Sequence, residues 1–107
     1  RFSPDGKELA VVDGLQLLFW DCKSPEAVVV AVDGECANDM AYSPDGRFFA
    51  LGCGDGTVRL HDRTRGQEVR RYDWKFGRIA SVVFAADGLT AAVGGEGGRI
   101  VLWDVDV

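Results

Sequence analysis

Proline, cysteine, histidine and methionine are all scarce, at three, three, one and one among 107 residues. Cys22, Cys36 and Cys53 are odd in number and show no Cys-x-x-Cys spacing. That excludes a disulfide scaffold and a four-thiolate zinc site, and it points to a reducing, cytoplasmic setting. A lone His61 among scattered carboxylates lacks the ligand spacing of a zinc or calcium loop, so neither a metal nor a cofactor is expected. Long apolar runs are missing too. The longest, residues 27–32, falls far short of the ~18 residues of a membrane helix, and no membrane partner is expected. With no initiator Met and no signal or transit segment, the chain is expected to begin inside a longer one.

What is present is glycine, 14 residues where the usual ~7% would supply about half as many. Many turns imply many strands. Short apolar segments rich in Val, Leu, Phe and Trp, each bounded by Gly, Asp, Pro or Ser, predict ten strands at residues 9–12, 15–20, 27–32, 37–42, 48–53, 57–61, 68–72, 79–84, 89–93 and 99–103. An apolar content of 47% is too high for a disordered tail.

The text repeats. Phe2-Ser3-Pro4-Asp5-Gly6 returns as Tyr42-Ser43-Pro44-Asp45-Gly46 and, weakened, as Phe84-Ala85-Ala86-Asp87-Gly88. In phase with it, Trp20-Asp21, His61-Asp62 and Trp103-Asp104 recur, with Asp13-Gly14 and Asp55-Gly56 between the two markers. The turns have a mechanism: proline presets φ near −65°, Asp hydrogen-bonds its own backbone two residues on, and Gly takes the positive φ.

These residues resemble the WD-repeat β-propeller family, whose repeat carries a Ser-Pro-Asp-Gly turn, a glycine-rich second strand, an Asp-Gly hairpin and a closing Trp-Asp. The resemblance covers essentially the whole chain. It implies an all-β fold, a partial β-propeller of four-stranded antiparallel blades: residues 1–35 a partial blade, 36–73 a complete one, and 74–107 a blade lacking its outer strand. Closure takes about four to eight blades, so a C-terminal portion of a longer propeller is expected, with further blades needed to close the ring. Bare apolar faces at both ends predict self-association or poor stability of the chain alone. The family often links a His, a Ser or Thr, the hairpin Asp and the Trp within each blade. Here the middle blade keeps Asp55 but offers Asp33, Leu51 and His61, and the last keeps Trp103 but shows Lys75, Val93 and Gly97. Apolar packing is therefore expected to dominate stability.

Residues arranged for catalytic chemistry are few. A Cys53–His61 nucleophile is argued against by the hairpin at Asp55-Gly56, which is expected to set Cys53 opposite Val58, ~10 Å along the strand from His61. His61 is expected to pack between blades. The glycine-rich runs at residues 52–56 and 94–98 open no helix and precede no Gly-Lys-Ser/Thr, so they read as hairpins and not as phosphate loops. No enzyme activity is expected of this chain.

Charge is more informative. Residues 59–78 hold seven bases (Arg59, Arg63, Arg65, Arg70, Arg71, Lys75, Arg78) against three acids, while the rest of the chain holds five against 14. Much of this basic segment is expected on the outer rim, where Arg discourages stray strand pairing. Within it, Asp73-Trp74-Lys75-Phe76-Gly77-Arg78 reads as a loop with two aromatics, either an exposed contact site or rings tucked between blades. The main expectation is a non-catalytic protein-interaction scaffold. Its candidate contact residues are Trp74, Lys75, Phe76, Arg78, Arg70, Arg71, Asp55 and Glu96, and its partner is another protein or a neighbouring domain of the same chain. One alternative is nucleic-acid or other acidic-partner binding through residues 59–78, with bases stacking on Trp74; the chain's overall acidity argues against it. A third is a propeller regulating an enzyme that lies outside this chain.

Overall fold

The computed structural model describes residues 1–13, 16–21, 23, 27–31, 37–65, 67–75 and 77–105. Cys22, Asp33, Cys36, Phe76 and two predicted strand ends, at 15 and 32, lie outside them. All ten strands are present, with ends shifted by two residues at most: β1 (Glu8–Asp13), β2 (Gln16–Asp21), β3 (Ala27–Ala31), β4 (Ala37–Tyr42), β5 (Phe48–Cys53), β6 (Thr57–Asp62), β7 (Glu68–Asp73), β8 (Ile79–Phe84), β9 (Thr90–Gly95) and β10 (Ile100–Asp104). They form three antiparallel sheets, β1-β2-β3, β4-β5-β6-β7 and β8-β9-β10, stacked face to face in chain order.

The repeated turns explain why the strands stop where they do. Gly6, Gly46 and Gly88 hold φ of 72°, 74° and 71°, and their amides bond back to Ser3, Ser43 and Ala85. In each copy the Asp Oδ1 accepts the amide two residues on: Asp5 from Lys7 at 3.0 Å, Asp45 from Arg47 at 3.0 Å, Asp87 from Leu89 at 2.9 Å. The inner strands share a second device, a bulge between Ala37 and Asp39 that recurs between Ile79 and Ser81.

Alternation along the strands builds two cores. Ala10, Leu17 and Phe19 of the first sheet meet Met40, Tyr42, Phe49, Leu51 and Cys53 of the second. On its other side the second sheet sets Ala41, Ala50, Val58 and Leu60 against Ile79, Val82 and Val93 of the third. Gly52 allows the closest approach: a Cβ there would lie 2.5 Å from the Ile79 Cγ2. At roughly 1.5–3 kcal/mol per buried aliphatic or aromatic side chain, these cores outweigh any single polar contact.

A polar clasp closes the edge of the first core. Glu8 accepts from Tyr42 Oη at 2.5 Å and from Arg63 Nε at 2.7 Å, and Arg63 Nη2 takes its other oxygen. The Arg63 guanidinium also sits 4.0 Å over the Phe19 ring. Burial works against the Glu8 carboxylate, but the Arg63 and Tyr42 bonds prevail and hold it below the usual range. Burial and the Glu8 bond push the Tyr42 phenol up.

One expectation needs correction. The β5–β6 register pairs Gly52 with Val58 and Phe49 with His61, one residue from the expected Cys53–Val58 pairing, because the turn takes three residues between strands. Within the basic segment Arg65, Arg70, Arg71, Lys75 and Arg78 are exposed, whereas Arg59 is 3% exposed and pairs with Asp55 at 2.8 Å, and Arg63 belongs to the clasp. Aliphatic stems let both arginines lie on apolar surface while their charged heads find carboxylates.

Candidate interaction face

Antiparallel order puts the β5–β6 hairpin, the β7–β8 loop and the β9–β10 turn at one end of the sheets, with the Ser-Pro-Asp-Gly turns at the other. Asp55, Lys75, Arg78 and Glu96 therefore share one face. Contacts lock the three segments together. A Cβ on Gly56 would fall 2.9 Å from the Gly77 carbonyl oxygen, and one on Gly77 would fall 2.9 Å from Glu96 Oε2. Glu96 N donates to the Arg78 carbonyl at 3.1 Å. The residue 94–98 run forms a hairpin with one turn of 3-10 helix over Glu96–Gly98.

Asn38 fixes the loop from beneath. The bulge in β4 frees its side chain, whose Nδ2 donates to the Ile79 carbonyl at 2.8 Å and whose Oδ1 accepts from Arg78 Nη2 at 3.2 Å. Sequence reading missed this residue; its only signal was a polar Asn38-Asp39 pair interrupting an apolar inner strand. Asp73 accepts the Lys75 amide at 2.9 Å, and Lys75 itself holds φ 57°, exposed at the loop's crest.

Trp74 is half-buried. Its ring stacks on Tyr72 at 5.6 Å and 4° and meets Trp103 at 4.9 Å, bracing the loop against the core between the second and third sheets. Trp103 Nε1 and Tyr72 Oη are buried without a hydrogen-bond partner among the described residues. Val93, standing where the family often has Ser or Thr, offers Trp103 no acceptor. Asp55, the remaining member of the family network in the middle sheet, instead accepts from the Thr57 amide (3.0 Å), the Thr57 hydroxyl (2.6 Å) and Arg59. Burial works to raise its carboxyl, but the Thr57 and Arg59 bonds hold it below the usual range.

Arg70 and Arg71 lie exposed on β7, the edge strand of the middle sheet, and Arg71 forks onto Glu68 at 2.9 and 3.1 Å. His61 stacks on Phe49 at 5.0 Å and 7°, and burial lowers its pKa, so the ring is neutral at pH 7. The Cys53 thiol is fully buried, and burial pushes it up. Among the described residues no three His, Cys, Asp or Glu side chains gather as a metal site. At the opposite end, a cleft of about 660 Å³ between the first two sheets is lined by both signs of charge, including Asp5, Lys7, Asp45 and the Glu8–Arg63 clasp.

Comparison with known proteins bears on what this face serves. The family model described as the anaphase-promoting complex subunit 4 WD40 domain matches residues 19–87. Serine-threonine kinase receptor-associated protein of Mus musculus is 28% identical over 107 residues, all of this chain and 31% of that protein. WD repeat-containing protein 91 of Danio rerio is 32% identical over 93 residues, 84% of this chain and 13% of that protein. Among solved structures, a chain of Kuenenia stuttgartiensis hydrazine synthase superposes with a TM-score of 0.84 at 26% identity, covering 96% of this chain and 31% of its own length. The chain thus spans about a third of the length of the serine-threonine kinase receptor-associated proteins it matches.

Proposed function

This chain belongs to the WD40-repeat family, and from that premise we propose that it is a non-catalytic scaffold that holds a partner protein, or a neighbouring domain, against the face carrying Lys75, Arg78 and Glu96. The observation that carries the reading is the interlocked set of three segments, in which the 73–78 loop is wedged between two hairpins and tied to Asn38. A loop already ordered loses little entropy on binding, so a small patch of exposed charge around the half-buried Trp74 can select a partner. We place it in the cytoplasm, with its thiols reduced, as part of one propeller completed by further blades.

Binding of nucleic acid is the weaker reading. Arg59, Arg63 and Arg71 are each engaged by a carboxylate, which leaves less of the basic segment to meet phosphates. A charge-reversed variant, Lys75→Glu/Arg78→Glu/Glu96→Lys, tests the proposal in quantitative capture from extract of the source cells. A control reversing Lys7 and Lys23, on the opposite end, runs beside it. The expected result is one or more proteins retained by the wild type and the control and lost by the face variant, with little change in retention between low and high salt. Equal loss in both variants, or a steep salt dependence with bound nucleic acid, would overturn it.

A further inference from the structure

The two internal seams share one frame at the Ser-Pro-Asp-Gly end and differ in what fills it. In both, a turn glycine packs beside the turn proline of the preceding sheet: a Cβ on Gly46 would lie 3.7 Å from the Pro4 Cδ, and one on Gly88 would lie 3.4 Å from the Pro44 Cδ. Beneath the first pair is the Glu8–Tyr42–Arg63 clasp. The repeat carries these three positions onto Phe48, Phe84 and Val105, at steps of 40, 42 and 42 residues. Every polar group of the clasp is replaced by an apolar one. The exposed position after the turn glycine changes in the same sense, from Lys7 and Arg47 to Leu89.

The result is an apolar groove of about 270 Å³ between the second and third sheets. Phe48, Phe84 and Val105 floor it, half-buried against the second core, and Leu89 stands 66% exposed at its lip. Two contacts hold its shape: the Val105 amide donates to the Leu89 carbonyl at 2.8 Å, and the Arg47 guanidinium sits 5.0 Å over the Phe48 ring. Among the described residues that line it, only Asp45 and Asp87 carry charge; both are exposed, and each serves its own turn through Oδ1. Exposed apolar surface rimmed by polar groups marks an interaction site. The size suits a single side chain, since small-molecule pockets begin at ~300 Å³. At the matching place in the first seam Thr64, Arg65 and Gln67, the described residues that follow Arg63, take no part in lining the cleft. A chain continuing past Val105 on the same course leaves the groove open.

We propose that this groove docks a short extended segment of a partner protein: one bulky aliphatic or aromatic side chain enters the hollow while a neighbouring Lys or Arg meets Asp45 or Asp87. The apolar side chain is the anchor, and the acids select the flank. The groove lies on the opposite end of the sheets from the loop face. It is a second place at which the scaffold holds a partner, and it does not depend on the first.

The test selects random heptapeptides displayed on phage against the full-length protein, in parallel with its Leu89→Gln variant. Wild type is expected to enrich peptides carrying Leu, Ile, Met or Phe beside Lys or Arg, and the variant is not. The best peptide is then titrated by fluorescence anisotropy. Leu89→Gln should weaken it roughly tenfold and leave its salt dependence unchanged. Asp45→Asn/Asp87→Asn, which keeps the turn acceptors, should weaken it roughly two- to fivefold at low salt and not at high salt. All three positions are exposed, and far-UV circular dichroism checks that the strands persist. No enrichment, enrichment of acidic peptides, or binding that survives Leu89→Gln overturns the proposal. An arm free of substitutions follows the Leu89 and Val105 methyl groups by NMR with a soluble paramagnetic probe. They are expected to be accessible in the protein alone and shielded once the peptide binds. Methyls shielded without peptide at every concentration show the protein's own chain in the groove, and methyls shielded only at high concentration show a second copy; either result overturns the docking. The loop-face variant Lys75→Glu/Arg78→Glu/Glu96→Lys should bind the peptide as wild type does, and its failure to do so also counts against the groove. A groove that binds nothing leaves the loop-face reading standing, since the two tests probe opposite ends of the sheets.

Discussion

Replacing Glu8 with Gln removes one charge from the clasp that ties the first sheet to the second while keeping its volume. The Glu8 and Arg63 side chains are 23% and 32% exposed. That places their pairing between an exposed ion pair, at ~0.2–1 kcal/mol, and a buried one, whose breakage costs ~3–5 kcal/mol. The forked geometry favours the middle of this range, so a double-mutant cycle of Glu8→Gln with Arg63→Met should give a coupling of ~1–2 kcal/mol at neutral pH. The stacking of Arg63 on Phe19 is lost in both arms of the cycle that lack the arginine and drops out of the coupling. The sign with pH follows from the direction of the shift. A carboxyl held below its usual value contributes stability that is present above about pH 4.3, the unfolded value, and is lost as pH falls through the folded one. Urea unfolding of wild type and Glu8→Gln at matched protein concentration should therefore differ at pH 7 and converge in acid, other carboxylates being common to both. A coupling below ~0.3 kcal/mol at pH 7, within the usual error of additivity, or a gap that persists in acid, would refute the clasp as a stabilising element.

Two further perturbations address the second seam and the middle sheet. Gly52→Ala drives a methyl into the Ile79 Cγ2 and should cost ~1–3 kcal/mol in urea unfolding. Adding Ile79→Leu, which removes that branch, should restore part of the loss; a double variant no more stable than Gly52→Ala would contradict the packing argument. Asp55→Asn weakens the carboxylate engagement of the buried Arg59 and should cost ~2–3 kcal/mol, measured the same way, whereas a change under ~0.5 kcal/mol would show the pair to be energetically idle.

Local signals account for what was legible in the sequence. Every strand was marked by turn residues at its ends, and Gly6, Gly46 and Gly88 adopt the left-handed φ that their place after Pro-Asp or Ala-Asp requires. The family resemblance supplied the stacking. What stayed hidden is long-range or depends on one residue of turn length. Glu8 and Arg63 lie 55 positions apart, and nothing near either announces the other. The β5–β6 register turned on whether the hairpin takes three residues or four. Arg59 looked like rim charge because it opens the basic run at residues 59–78, yet it sits between Val58 and Leu60 in β6 and is buried beside Asp55. The loop at 73–78 was found by composition, but Asn38, which anchors it, is reached only through the bulge.

The two internal seams are fastened by different physics at the end bearing the Ser-Pro-Asp-Gly turns. Between the first and second sheets the rim is shut by Glu8, Tyr42 and Arg63, while between the second and third the rim is greasy, with Phe48, Leu89 and Val105 lining the join. Acid loosens the first and cooling the second, since apolar attraction weakens as temperature drops. Both closures stand at the end away from Lys75, Arg78 and Glu96, so each seam can be loosened by its own stress without a substitution on the loop face.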